Sequence, residues 1–79
     1  MKGFFILVSI PLHIEVQLPR SNKKERIQIN EDTSIIKILK KFNIKPDTCL
    51  TLINNKPVPM DTIMQEAQTL ILVEVTSGG

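Results

Sequence analysis

The sequence predicts a single α+β domain in which one main helix packs on one face of a mixed β-sheet. Three observations support this fold class. The chain has 79 residues, 42% of them hydrophobic, which suits one small core and leaves no length for a second domain. Segments of period two surround a segment of helical period, in the order strand, strand, helix, strand, short helical connector, strand. A single amphipathic helix needs the sheet to cover its apolar face.

The first two strands are predicted to form an antiparallel hairpin. Residues 12–18 place apolar side chains at even numbers and polar side chains at odd numbers, the pattern of a half-buried strand. Residues 19–22 interrupt the pattern with a proline and an asparagine, and residues 26–30 resume it.

The main helix is predicted where apolar residues change to the spacing i, i+3, i+4 and i+7. A side-chain oxygen from residues 32–34 can cap its start. At its end Asn43 tolerates the left-handed conformation, Ile44 can fold back on the last turn, and Pro46 prevents continuation. The apolar residues of this helix are Ile35, Ile38, Leu39 and Phe42.

The second half of the chain predicts two further strands. Residues 49–53 form the third strand, which ends at the turn 54–57. Residues 59–64 form a short connector with one turn of helix opened by Asp61. Residues 69–75 are rich in β-branched side chains and apolar on both faces, so we expect this strand at the centre of the sheet, beside the first strand.

Composition excludes several kinds of functional site. One cysteine and one histidine cannot supply a disulfide framework or a closed zinc site, so we interpret Cys49 as a packing residue and His13 as a surface residue. Of the three glycines, Gly78 and Gly79 are the last two residues of the sequence, and Gly3 alone cannot form a phosphate-binding loop.

Charge is unevenly distributed along the chain. Residues 1–46 carry nine basic and four acidic side chains, whereas residues 47–79 carry one and four. One hypothesis is RNA binding through Lys23, Lys24, Arg26 and the helix lysines. Because no aromatic residues for base stacking are interleaved with these charges, we favour solvated lysines and expect no nucleic-acid partner.

The N-terminal residues 1–11 form an apolar extension with a charged start. It resembles a signal peptide, but no cleavage site of small residues follows, and it is far shorter than the roughly 20 residues of a transmembrane helix. We therefore expect an extra strand or a packed tail, no membrane association, and a cytoplasmic location. The predicted domain covers residues 12–75, and residues 76–79 form a flexible tail that ends in Gly-Gly.

From Leu12 to Gly79 the sequence resembles the ubiquitin-like β-grasp sulfur carriers, the ThiS and MoaD family. Residues 52–63 are similar to the strand, Asn-Gly-Lys turn and Val-Pro-x-Asp-Thr connector of that family, and the Gly-Gly ending is similar too. Asn55 stands where the family usually has glycine, and residues 66–68 replace its usual Gly-Asp turn. The resemblance implies a β-grasp fold and a carrier protein that has no catalytic residues of its own.

The same resemblance implies chemistry at the C-terminus. An E1-like enzyme would use ATP, which the carrier itself does not bind, to adenylate the Gly79 carboxylate beside Gly78. A persulfide or sulfide would then displace AMP and leave a thiocarboxylate, which delivers sulfur to a synthase or target in thiamine thiazole, molybdopterin or tRNA thiolation. The alternatives are a ubiquitin-like modifier joined to lysines through Gly79, or a loose chain end without function.

The open face of the sheet is a candidate docking surface for the activating enzyme. If four leucines of the last two strands point to the helix, alternation places other aliphatic residues on the opposite face. Residues 1–11 could equally cover that face, and the sequence leaves both interpretations open. The four leucines are Leu50, Leu52, Leu70 and Leu72. The candidate docking residues are Ile53, Ile71 and Val73.

Overall fold

The computed structural model of the chain describes residues 11–75. The predicted flexible tail, and the predicted extension apart from Pro11, lie outside the described residues. The elements are β1 Leu12–Leu18, β2 Lys23–Ile29, α1 Ile35–Lys41, β3 Cys49–Ile53, β4 Lys56–Pro57 and β5 Thr69–Glu74, with short 3-10 turns at Pro19–Ser21 and Pro46–Thr48.

The five strands form one mixed sheet in the order β2, β1, β5, β3, β4. The first and last strands lie side by side and run parallel, whereas the other neighbouring pairs are antiparallel. This confirms the predicted α+β fold class, including the central position of the last strand. The sequence explains that position, because β5 is apolar on both faces for most of its length.

One face of the sheet packs against α1 and forms the core. The even-numbered residues of β1 point inward, as the alternation predicts. All three buried residues of α1 lie within the same apolar cluster. The core residues are Ile14, Val16, Leu18, Ile27, Ile29, Ile35, Ile38, Leu39, Cys49, Ile53, Met64, Leu70 and Leu72.

The β1–β2 hairpin is tighter than the sequence predicts. Strand β2 begins at Lys23, three residues before the predicted start, and pairs with Leu18 from the first residue after the turn. Asn22 adopts a left-handed φ of 54°, which closes the turn immediately after the 3-10 segment.

The end of α1 follows the prediction. Asn43 has a φ of 62°, and the amide of Ile44 donates a hydrogen bond to the carbonyl oxygen of Leu39 at 2.9 Å. The amide of Asn43 donates to the carbonyl oxygen of Lys40 at 3.1 Å, which completes a Schellman motif. Ile44 thereby folds back and packs against the core.

The start of α1 differs from the prediction, because no side chain caps it. Ser34 is the N-cap residue but makes no side-chain cap bond. Instead the amides of Ile35 and Ile36 donate to the carbonyl oxygens of Thr62 and Met60, at 3.0 and 2.9 Å. The connector therefore supplies the acceptors that the first turn of a helix needs.

The connector itself contains turns, so the prediction of one helical turn opened by Asp61 is wrong. Its carbonyl groups bind the helix start, and the amide of Met64 donates to the carbonyl oxygen of Thr33 at 2.9 Å. Non-helical backbone suits this exchange, since a helical turn would direct the carbonyl groups of Met60 and Thr62 into hydrogen bonds of its own.

Strand β4 was not expected from the sequence. Asn54 and Asn55 have φ values of 54° and 63°, the left-handed pair that a two-residue hairpin requires. The chain therefore reverses at once, and Lys56 and Pro57 pair with the end of β3 at the edge of the sheet. An edge position tolerates Pro57, which has no amide hydrogen to donate.

Candidate functional site

The candidate site starts where β5 ends, because the Gly-Gly sequence follows this strand. Glu74 lies opposite Cys49, and the amide of Val75 donates to the carbonyl oxygen of Thr48 at 2.8 Å. The chain is thus held by the fold up to Val75. The predicted reactive residues, Gly78 and Gly79, lie outside the described residues.

The open face carries four aliphatic side chains close to this end of β5. They stand on β3 and β5, and we call them the apolar patch. Leu50 is 45% exposed, and the other three are half-buried. This is a contiguous group, since Leu50 pairs with Val73 and Leu52 pairs with Ile71. The apolar patch consists of Leu50, Leu52, Ile71 and Val73.

The prediction that Ile53 belongs to the open face is wrong. Ile53 is only 7% exposed and lies in the core, whereas Ile71 and Val73 are on the open face as predicted. In the antiparallel register Ile53 pairs with Leu70, which faces the helix, so both must point the same way. Leu50 and Leu52, which were predicted to face the helix, lie on the open face instead.

Thr51 explains why alternation misplaced β3. Its side chain points into the core and is 2% exposed, a position where an unpaired hydroxyl would be costly. The hydroxyl donates to the carbonyl oxygen of Val58 at 2.8 Å, and the amide of Val58 donates back to the carbonyl oxygen of Thr51 at 3.0 Å. The two bonds satisfy Thr51 and leave the flanking leucines on the outside.

The other half of the open face is polar and charged. Arg26 lies opposite Glu15, and Lys24 lies opposite Gln17, across the β1–β2 pair. The side-chain nitrogen Nε2 of Gln17 donates to Glu15 Oε2 at 2.6 Å. Ile71 stands beside Gln17 in the parallel pair, so the apolar patch directly adjoins this charged region. The open face thus combines an apolar half with a charged half.

Cys49 is a packing residue, as the sequence indicates. Its side chain is buried in the core, and its thiol donates a weak hydrogen bond to the carbonyl oxygen of Leu50 at 3.6 Å. Burial, and secondarily the charge of Glu74, raise the pKa of the Cys49 thiol. A raised pKa lowers the fraction of nucleophilic thiolate, which fits a packing role for this residue.

His13 is half-buried at the start of β1, and its backbone has the specific contacts. Its amide donates to Glu66 Oε1 at 2.7 Å, and its carbonyl oxygen accepts from the amide of Ala67 at 2.8 Å. The sequence did not predict this pair of hydrogen bonds between β1 and the turn before β5. The side-chain carboxylate of Glu66 therefore accepts a backbone hydrogen bond and has a structural role.

The basic residues proposed for RNA binding do not form one surface. Lys24 and Arg26 lie on the open face, whereas Lys37 and Lys41 lie on the helix across the sheet. Between residues 11 and 75, no group of three or more side chains is arranged to hold a metal ion. No helix in this part of the chain is long and apolar enough to cross a membrane.

The arrangement of elements is the ubiquitin-like β-grasp fold. No protein-family model matches the sequence, and no curated protein matches it. Similar solved structures include the ubiquitin of Caldiarchaeum subterraneum, at 11% identity and a TM-score of 0.67, covering 87% of this chain and 99% of that one. The HVO 2177 protein of Haloferax volcanii has 14% identity and a TM-score of 0.68, with coverage of 87% and 88%. The ubiquitin-like domain of an Arabidopsis thaliana protein has 9% identity and a TM-score of 0.69, with coverage of 100% and 93%.

Proposed function

We propose that this chain is a cytoplasmic sulfur carrier with a ubiquitin-like fold, acting as the substrate of an activating enzyme. A carboxylate oxygen of Gly79 attacks the α-phosphorus of ATP on an E1-like enzyme, and pyrophosphate leaves. Sulfide then attacks the acyl carbon and displaces AMP, which yields the thiocarboxylate. If a protein persulfide attacks instead, the product is an acyl disulfide, which a thiol reduces to the thiocarboxylate.

The observation that carries the proposal is the anchoring of Val75. Its hydrogen bond to Thr48 holds the backbone to a point four residues before Gly79. Gly78 and Gly79 have no Cβ atoms, so this ending fits a channel too narrow for other residues. A rigid body that presents a thin reactive end is what a carried substrate needs.

The apolar patch supports the same proposal. It lies on β3 and β5 near Val75, so an enzyme bound to the patch would be close to the residue that the last four residues follow. Exposed aliphatic clusters of this kind are typical of protein interaction surfaces. In the proposal the patch docks the E1-like enzyme. A persulfide donor protein and a sulfur-accepting synthase or target protein are the further partners.

A second candidate is a protein modifier that forms isopeptide bonds through Gly79. The similar structures favour it, since they include a ubiquitin and ubiquitin-like domains. Both functions share the adenylation step and the apolar patch. They differ in the nucleophile that takes the acyl group, which is sulfur for a carrier and a lysine amine for a modifier.

The test is the intact mass of the protein purified from its own cells, in three forms: wild type, Gly79 deletion, and Ser77→Ala. Ser77→Ala is the control because it keeps both glycines. Replacement of one oxygen by sulfur in wild type and Ser77→Ala, but not in the deletion, would support the carrier. Covalent conjugates with the same dependence would support the modifier instead.

A wild-type protein with neither change, from cells that contain an E1-like enzyme, would overturn both functions. Steeply salt-dependent RNA binding that survives removal of Gly78 and Gly79 would favour the third hypothesis, an RNA-binding module. Retention of the sulfur-containing mass after Gly79 deletion would place the modification elsewhere and would contradict the proposed reactive group.

A further inference from the structure

The apolar patch has no cover within residues 11–75. Leu50 in the patch is 45% exposed, and Val75, which follows β5, is 50% exposed. The only other large apolar side chain as exposed in this part of the chain is Ile63. Apolar side chains left in water lower stability, so a group of them at one end of a sheet indicates a surface that another segment or molecule covers.

The topology restricts where the ten residues before Pro11 can pack. They lead directly into β1, and both edges of β1 are already paired, with β2 and with β5. The helix face of the sheet is filled by α1 and the core. Strand β4 offers an edge of only two residues, and the edge of β2 carries exposed Lys23 and Lys24, which would repel Lys2. The open face is left as the surface that an apolar segment can cover.

The distance from Pro11 to the patch matches the positions of the two phenylalanines in this segment. From Pro11 to Gln17, which pairs with Ile71, the chain advances by about 20 Å along β1. A chain that folds back from Pro11 needs about six or seven residues for the same distance, because each residue spans at most about 3.3–3.6 Å. The residues at those two positions are Phe5 and Phe4.

The composition of the segment fits the same position. Seven of its ten residues are aliphatic, aromatic or methionine, and Lys2 is its only charged side chain. Lys2 stands three residues before Phe5, and Glu74 stands three residues after Ile71. A segment that sets Phe5 level with Ile71 therefore sets Lys2 level with the carboxylate of Glu74, so charge and apolar area favour the same placement.

We propose that residues 1–10 fold back over the open face and cover the apolar patch, with Phe4 and Phe5 against Ile71 and its neighbours. The segment then competes with any protein that docks on the patch, at the roughly millimolar effective concentration of a short tether. The competition rests on the proposed function, whereas the contact between segment and patch does not. Displacement of the segment exposes the patch, so the same side chains serve the isolated protein and the complex.

The first test locates the two phenylalanine rings by NMR in the full chain, with ¹³C-labelled methyl groups. The methyl groups of the apolar patch should show nuclear Overhauser effects to the ring protons. Phe4→Ser with Phe5→Ser should remove these effects. The control, Val8→Ser with Ile10→Ser, changes apolar side chains of the same segment that lie too close to Pro11 to reach the patch, and it should preserve them.

Three results of this measurement would overturn the proposal. The first is an absence of contacts between the rings and the patch. The second is contact of the rings with Ile27 or Ile29, which would place the segment at the edge of β2. The third is contact seen only between labelled and unlabelled copies in a mixed sample, because a second molecule would then supply the cover.

The second test measures the competition, with the E1-like enzyme and ATP. Phe4→Ser with Phe5→Ser should raise kcat/KM for activation about five-fold, since a patch that is free about one fifth of the time loses that factor in apparent affinity. The control pair Val8→Ser with Ile10→Ser should leave kcat/KM unchanged. Equal rates in all three proteins would overturn the competition. Ring contacts without activation of any of the three would support the cover and contradict the proposed function instead.

Discussion

Leu52 lies directly opposite Ile71 across the antiparallel strands β3 and β5, and both side chains stand on the open face of the sheet. The neighbouring pair, Leu50 with Val73, extends the contact toward the end of β5. Cross-strand aliphatic pairs stabilise a sheet, but on a solvent face they also leave apolar area in water. This cost is explained if a partner covers the patch.

The first prediction tests the apolar patch as the docking surface of an activating enzyme. Leu50→Glu should lower kcat/KM for ATP-dependent activation about ten-fold or more, since it places a charge in a desolvated contact. The fold should be retained, because Leu50 is 45% exposed and lies outside the core. Gln28→Glu is the control, with an equal charge on the polar half of the same face. An unchanged rate for Leu50→Glu would contradict docking through the patch.

The second prediction tests the register of β3 by stability. Ile53→Ala removes buried methyl groups and should lower the free energy of unfolding by about 2–4 kcal/mol. Leu50→Ala removes as many atoms from the open face and should cost less than about 1 kcal/mol. Urea denaturation of the two variants gives the comparison. The reverse order would mean that β3 presents its other face to the helix.

The contrast between β1 and β3 shows what sequence periodicity can determine. In β1 only the even-numbered residues are apolar, so one orientation buries them and the prediction is correct. In β3 Leu50 and Leu52 are apolar and so are Cys49 and Ile53, which makes both orientations plausible. The choice depends on the hydrogen bond of Thr51 to Val58 across the following turn, and alternation within β3 contains no information about it.

Strand β4 escaped prediction for a different reason. Two residues are too few to show any period, and Pro57 usually argues against a strand. The available signal was the pair Asn54 and Asn55, since consecutive residues that tolerate positive φ indicate a two-residue hairpin. The acceptors at the start of α1 gave no such signal, because they are backbone carbonyl groups and have no residue preference.

The third prediction concerns the start of α1. Ser34→Ala should change the free energy of unfolding by less than about 0.5 kcal/mol, although an N-cap serine is usually worth about 1 kcal/mol. The reason is that its hydroxyl makes no cap bond. Thr33→Val should lower the free energy of unfolding by about 1 kcal/mol, because Thr33 Oγ1 accepts a hydrogen bond from the backbone amide of Asn30 at 2.9 Å. Thermal unfolding of both variants measures which one loses more stability. A larger loss of stability for Ser34→Ala would contradict the prediction.

The fourth prediction concerns the pH dependence of stability. The pKa of Cys49 is raised in the folded state, so the native protein holds the thiol proton more tightly than the unfolded chain does. This stabilisation is fully present below the unfolded pKa of about 8.5 and is lost as pH rises through the folded pKa. Cys49→Ala should therefore lose less stability than wild type between neutral and alkaline pH. Denaturant titrations at several pH values give the free energy of unfolding of each protein. If it falls equally with pH in both proteins, the prediction is wrong.

The fifth prediction concerns the turn before β5. Residues 11–75 contain no glycine, yet five of them have positive φ. Four are asparagines, which tolerate that conformation, and the fifth is Ala67 with a φ of 66°. The Cβ atom of Ala67 then crowds its own backbone, at a cost of about 1 kcal/mol.

Ala67→Gly should relieve this strain and keep the amide that donates to the His13 carbonyl oxygen. Glycine also gives the unfolded chain more freedom, which offsets about 0.4–1 kcal/mol of that relief, so the expected net gain in the free energy of unfolding is about 0–0.6 kcal/mol. Gln65→Gly, two residues earlier in the chain, is the matched control. Its φ is not positive, so glycine there adds only unfolded-state entropy and should destabilise. Equal losses for the two variants in urea denaturation would show that Ala67 is not strained.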